Sequence, residues 1–358
     1  MPSLKEIKGR INSISSTLAI TSAMKMVASA KLQKAQMAIQ NMLPYERRLY
    51  SMLLDLMGAM NISAAASEDG SVRGSGSAER GFDQSGDRLS LSNRHDLAGM
   101  DGAYSLMAQR EVRKVAIVAF ASNSSLCGAF NSNVIREATA VINEYRASGL
   151  RDSDIVVYSV GRKMAEAMRK LGFPSPADFT KMSDSPSYEA ASALPQELLD
   201  GFVSGRFDKV ELVYNHYKST SSQPTTRQTY LPLSLADATA DIQVGKITDS
   251  ASESDTNRGA EPVGAPVVRQ GSPTTEDLIV EPSKEELIAT LLPKVVRLRV
   301  FTTLLDSTAA EHAARTVAMQ LATDNGNDLL QELTLEYNKG RQQKITSEIL
   351  DLVGGSLQ

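Results

Sequence analysis

The sequence predicts a mainly parallel α/β sheet domain set between two very long helices that pair as an antiparallel coiled coil. Three observations predict it. Apolar residues step by three and four through residues 4–57 and again through residues 281–353, the spacing that lines one face of a helix. Between them, runs of β-branched residues alternate with helical segments, the order that builds a parallel sheet with helices on its faces. Two Gly-, Ser- and Asp-rich stretches, 58–110 and 236–280, separate these parts.

The first helix is expected from Leu4 to Met57. Leu4, Ile7, Ile11, Ile14 and Leu18 form an a/d seam and are the candidate helix–helix core. The seam loosens through Met24, Val27, Leu32, Ala35 and Ile39. Ser3 followed by Glu6 reads as a capping box, and Pro44 is expected to kink or break the helix. At 1.5 Å per residue the segment would run roughly 80 Å, longer than a small domain is wide, so it needs partners beyond its own globule.

Residues 58–110 read as a flexible, solvent-facing insertion with a regulatory role in view. Its Gly74-Ser-Gly76 is a poor dinucleotide fingerprint, because no strand precedes it and no helix follows. The α/β domain is expected over 111–235. Strands are predicted at Val112–Phe120, Asp154–Val160 and Lys209–Lys218, with Gln228–Leu233 as a further partner. Helices are predicted at Asn131–Ala147, Gly161–Leu171 and Leu194–Ser204. The order makes the sheet doubly wound and Rossmann-like. Residues 236–280 read as a second polar linker.

The last helix is expected over 281–358. Ser283 and Glu286 form a second capping box, and Pro293 marks a kink. Leu330, Leu333 and Tyr337 extend the candidate helix–helix core. Beyond Pro293 the helix would span on the order of 90 Å. Asp324-Asn-Gly326 could turn a hairpin, but helical periodicity on both sides favours a helix interior in which Gly326 admits the other helix.

Composition narrows the function classes. The chain has 358 residues, 42% hydrophobic, no Trp and a net charge of -4. That balance argues against a nucleic-acid binder. A single cysteine, Cys127, excludes an internal disulfide and is read as a structural thiol. His312, beside Glu311 in a helix, reads as a packing or partner contact rather than a ligand. There is no metal-spaced H-E-x-x-H and no phosphate-binding G-x-x-x-x-G-K-[ST], so neither a metal nor a nucleotide cofactor is expected. No segment has the roughly 20 apolar residues of a membrane span. The start, MPSLKEIKGR, lacks the apolar core of a signal peptide. The expected setting is a bacterial cytoplasm.

Three blocks carry a resemblance. They are Ile11–Ala35, containing Ile20-Thr-Ser-Ala-Met24 and Met26-Val-Ala-Ser-Ala-Lys31; Ser122–Asn131, with Leu126-Cys-Gly128; and Glu311–Leu352, with Ile345-Thr346-x-Glu348 and Asp351. Together these resemble the γ subunit of bacterial-type F-type ATP synthases. The resemblance implies a rotor shaft that is not itself a catalyst, turning inside an α3β3 ring whose α and β subunits it contacts. It implies a base that grips an ε-type subunit and the membrane c-ring, without membrane insertion, on the cytoplasmic face of the inner membrane. It marks Met24, Lys25, Met26, Val27, Lys31, Ile345, Thr346, Glu348 and Leu352 as shaft-to-ring contacts. It further implies that a positive face of the first helix, with Lys5, Lys8, Arg10, Lys25, Lys31 and Lys34, meets acidic loops of β. The chain departs from the family at Lys25, where an acidic residue is usual, at Gly354-Gly355-Ser356, and in the length of its two polar stretches. With one cysteine it lacks the pair that plant-type thiol control uses. Two other classes stand beside this reading: a nucleotide-binding enzyme and a coiled-coil scaffold.

Overall fold

In the computed structural model the described residues are 3–59, 106–184, 186–233, 281 and 283–355. The polar stretches, with Gly74-Ser-Gly76 and His95, fall almost wholly outside them. The elements are α1 (Leu4–Ala59), β1 (Val115–Phe120), α2 (Phe130–Ala147), β2 (Ile155–Val160), α3 (Arg162–Lys170), α4 (Thr180–Asp184), α5 (Tyr188–Val203), β3 (Lys209–Asn215), β4 (Thr225–Leu231) and α6 (Lys284–Gly355).

The sheet order is β2-β1-β3-β4. β1 pairs in parallel with β2 and β3, and β4 closes one edge antiparallel to β3. β1 is apolar throughout because both of its faces are covered, as in parallel sheets generally. Ala116, Val118 and Phe120 face a core shared with α1, α5 and α6. Val115, Ile117 and Ala119 face α2 and α3 through Val134, Ile142, Met164 and Met168. Packed layers of this kind contribute roughly 25 cal/mol per Å² of apolar surface removed from water.

Both capping boxes supply their first bond: the Glu6 N–H donates to Ser3 Oγ at 3.2 Å, and the Glu286 N–H to Ser283 Oγ at 3.1 Å. α1 runs 56 residues through Pro44, and α6 runs 72 residues through Pro293, with no break at either. A proline inside a helix costs on the order of 3 kcal/mol. Packing offsets it here: Leu49, Leu53 and Leu56 after Pro44, and Ile288, Leu292, Val295 and Val296 around Pro293, lie in the main core.

α6 changes character along its length. Over 295–313 it is buried nearly all round, as a helix at the centre of a domain must be. After Met319 one side stays against α1 and the rest is open. The two long helices are antiparallel. A Cβ at Gly326 would stand 2.6 Å from Leu18 Cδ2, and one at Gly340 would stand 3.2 Å from Leu4 Cδ2. Thr323 Oγ1 donates to Thr21 Oγ1 at 3.0 Å just on the sheet side of the Gly326 level. Nearer the sheet, Leu32 and Ala35 pack with Ala309 and Ala313. Gly326 is a helix interior at a close approach, as its periodicity predicts.

Candidate functional site along the helical pair

Of the seam residues, Ile7 is 3% exposed. Leu4, Ile11, Ile14, Leu18, Leu330, Leu333 and Tyr337 are half-buried. Two helices without a third layer cannot enclose their seam, so each such side chain keeps one flank open. The residues marked as ring contacts lie on that open surface or at its margin. Met26 and Val27 are 68% and 57% exposed, Lys31 is exposed, and Met24 and Lys25 are half-buried. Further along, Ile345, Thr346, Glu348 and Leu352 are exposed.

Leu4 lies level with Gly340, so residues 341–355 of α6 extend past the start of α1. Over 341–350 every side chain is exposed. Ile345, Ile349 and Leu352 recur at steps of four and three, which places them along one side of the helix. Leu352 is 74% exposed, so the projecting end presents a bare apolar stripe. An ion pair there, Lys344 to Glu348 at 3.8 Å, is solvated on both sides and contributes under about 1 kcal/mol.

The structure adds residues that the spacing did not single out, at the seat of the helices in the sheet domain. Asp306 of α6 reaches the end of β3: Tyr217 N–H donates to Asp306 Oδ1 at 2.9 Å, and His216 Nδ1 lies 2.6 Å from Oδ2. Gln36 Nε2 of α1 donates to Tyr217 Oη at 2.6 Å. Arg315 donates to the Ser125 carbonyl at 2.6 Å, to Ser124 Oγ at 2.7 Å and to Glu311 at 2.6 Å. Tyr230 Oη donates to the Val296 carbonyl at 3.0 Å. Apart from Arg315–Glu311, which are four residues apart on one helix, these pairs join residues far apart in the chain, so no local pattern announces them. A lone acid within the otherwise apolar and hydroxyl-bearing run 300–310 was the available signal for Asp306.

Glu311 is buried, and desolvation raises its carboxyl pKa against the pull of Arg315 and Lys31. His312 is pushed down to about 4, first by desolvation and then by the charges of Lys31 and Arg315. Its Nδ1 has no hydrogen-bond partner, which suits packing within the joint. Cys127 is 1% exposed and sits with Phe130 and Ala310, a structural position.

In doubly wound sheets a ligand crevice opens at the strand ends where the winding reverses. Here the chain passes from β1 to β2 on one side and reaches β3 on the other, so that point lies between β1 and β3. α6 fills it: Ala310 packs on Cys127 and Phe130 after β1, and Asp306 binds Tyr217 after β3. Among the described residues no group of His, Cys, Asp and Glu has metal-binding proximity, and no helix is long and apolar enough to cross a membrane.

A family model described as ATP synthase matches residues 3–357. The ATP synthase gamma chain of Phocaeicola vulgatus is 46% identical over 357 residues, covering 100% of both chains. That of Bacteroides thetaiotaomicron is 45% identical over 358 residues, again covering 100% of both. Among solved structures, a chain of the Euglena gracilis mitochondrial ATP synthase, OSCP/F1/c-ring, superposes with a TM-score of 0.51 at 18% identity, covering 98% of this chain and 92% of its own. That last likeness speaks to fold alone. With helices of this length, the sheet between them and relatives matched from end to end, the chain belongs to the ATP synthase gamma-chain family.

Proposed function

We propose that this chain is the central rotor shaft of the F1 sector of a proton-translocating ATP synthase, a non-catalytic subunit that couples ion-driven rotation to ATP synthesis in an α3β3 ring. The end-to-end match to gamma chains carries the reading. The shape supports it: a helical pair stands out from a sheet domain, and its far end shows apolar residues to a partner. In this reading residues 1–57 and 281–358 are the shaft, and 111–235 are the base that meets the ε subunit and the c-ring. The complex sits peripherally on the cytoplasmic face of the bacterial inner membrane.

The mechanism follows from asymmetry. One shaft cannot touch three identical β subunits alike, so it acts as a ligand with a different affinity for each β conformation, and turning it permutes those states. Contacts that are remade at every step must be weak and solvated. The exposed Lys31 and Lys34 and the half-buried Lys25 are suited to that, at about 1 kcal/mol or less apiece. Bare aliphatic side chains at Ile345, Ile349 and Leu352 can slide in an apolar sleeve, where a buried ion pair would cost several kcal/mol to break.

The test is reconstitution with α and β subunits of the same organism, with a bead fixed to the sheet domain during ATP hydrolysis. One copy per ring and unidirectional rotation are expected. A chain that stays outside the ring, or sits in it without turning, would overturn the rotary reading in favour of a scaffold.

A further inference from the structure

The rotary reading requires that turning the base turns both helices by the same angle. Most of the contact between base and helices is apolar and therefore non-directional. Apolar packing resists separation, but it fixes angle less sharply than directed bonds do. Directed bonds cross the joint at several points, through Arg315 and Tyr230 among others, and at Tyr217 bonds to both helices meet on one residue. Tyr217 follows β3, and its side chain packs against the Leu32, Ala35, Ala309 and Ala313 cluster between the two helices, and against the Cys127, Phe130 and Ala310 cluster after β1. Its N–H is held by the α6 carboxylate of Asp306, and its hydroxyl accepts from Gln36 of α1. One side chain thus touches α1, α6 and the loop after β1, while its own backbone continues directly from the end of β3.

We propose that Tyr217, seated by Asp306, is the positioning residue that keys the sheet domain to both helices and keeps their rotation in step. The crevice that would take a ligand in other doubly wound sheets takes the chain's own helix, and Tyr217 is the pin through it. Asp306 holds the end of β3 in a directed grip, with both carboxylate oxygens engaged. Gln36 ties the same ring to α1, so a slip of either helix about its axis breaks a bond at this point. The proposal rests on the rotary reading and adds to it the place where angle is transmitted.

The experiment uses the complete ATP synthase in inverted membrane vesicles, with the wild-type chain, Asp306→Ala, Asp306→Asn, Tyr217→Phe and Tyr217→Ala. Two quantities are read: hydrogen exchange of the Tyr217 amide by mass spectrometry, and ions pumped per ATP hydrolysed. Asp306→Ala is expected to speed exchange about 10- to 100-fold, the factor for losing a bond to a charged acceptor. It is expected to lower ions pumped per ATP about twofold or more, with hydrolysis held within about twofold. Asp306→Asn keeps an acceptor oxygen and is expected to restore most of the pumping ratio. Tyr217→Phe keeps the ring and loses only the Gln36 bond, so it reports even if Tyr217→Ala does not assemble. It is expected to fall between wild type and Asp306→Ala. Faster exchange with an unchanged pumping ratio in both Asp306→Ala and Tyr217→Phe would make the joint merely structural and overturn the proposal. A wild-type chain that neither enters the ring nor supports pumping would instead defeat the rotary reading.

Discussion

Replacing Gly326 tests how closely the two helices are set. Inside a helix, Gly→Ala alone stabilises by about 1 kcal/mol, because alanine has less backbone freedom to lose. At this position the new methyl would stand 2.6 Å from Leu18 Cδ2 and 3.2 Å from its Cγ. The first separation is shorter than carbon atoms tolerate; the second is tight and involves an atom near the root of the side chain. Leu18 must change rotamer or the helices must part, at a cost of about 1–3 kcal/mol for an overfilled contact. The clash outweighs the propensity gain, so Gly326→Ala is expected to destabilise by about 1 kcal/mol. In a Leu18→Ala background the clash is gone, and the same substitution is expected to stabilise by about 1 kcal/mol. The coupling energy of the cycle is then about 2 kcal/mol, well beyond the few tenths seen for independent sites. Urea unfolding of the four chains, followed by helical circular dichroism, measures it. A Gly326→Ala effect of the same sign and size in both backgrounds would refute the geometry, because it would mean that Leu18 does not meet position 326.

Arg315→Ala leaves the buried Glu311 carboxyl without its partner and is expected to destabilise by about 3–5 kcal/mol; the double variant Arg315→Ala/Glu311→Gln, measured by the same unfolding assay, should recover a large part. His312, near 4 when folded against 6.5 unfolded, takes up its proton first in the unfolded chain as pH falls. Stability should therefore drop progressively between about pH 6.5 and pH 4, by about 2 kcal/mol once its partial exposure is allowed for. His312→Gln should remove that part of the acid sensitivity, as melting points across the range would show. Gly161→Ala puts a Cβ 2.0 Å from the Ala121 carbonyl oxygen at a φ of 96°, and a loss of roughly 3 kcal/mol or more is expected in thermal melts. Ile349→Ser, exposed on the projecting end, should change the stability of the isolated chain by no more than about 0.5 kcal/mol while weakening its retention in the ring in a pull-down.

Local patterns were readable where one residue type answers one local demand. Ser3 and Ser283 cap as their spacing requires, and the unbroken apolar run of β1 reports a strand covered on both faces. Periodicity around Gly326 overrode a turn-like Asp-Asn-Gly. Pro44 does not break α1, because packing of Leu49, Leu53 and Leu56 beyond it outweighs the local cost. α5 begins at Tyr188 rather than Leu194: Ser187 accepts from the Ala190 N–H and caps the helix, and Pro195 is carried inside it. α4 has five residues, too few for a period to emerge. The joint at Tyr217 and Asp306 was illegible for a different reason. It joins residues 89 apart in the chain, and nothing in either neighbourhood encodes the other.

The single run of α6 from the core of the sheet domain to its projecting end has a consequence for how chain length can vary in this family. Each residue added to a helix turns everything beyond it by about 100°. An insertion anywhere between Leu305 and Ile345 would swing the exposed stripe of Ile345 and Ile349 almost to the next of three stations set 120° apart, out of phase with the base. Four added residues, one turn and a little more, would leave an error of about 40°. The rod thus behaves as a camshaft whose timing is written in its residue count. Extra length is tolerated only where it cannot retime the shaft, and the two long polar stretches of this chain, 58–110 and 236–280, both lie between the helices and the sheet domain rather than within the rod.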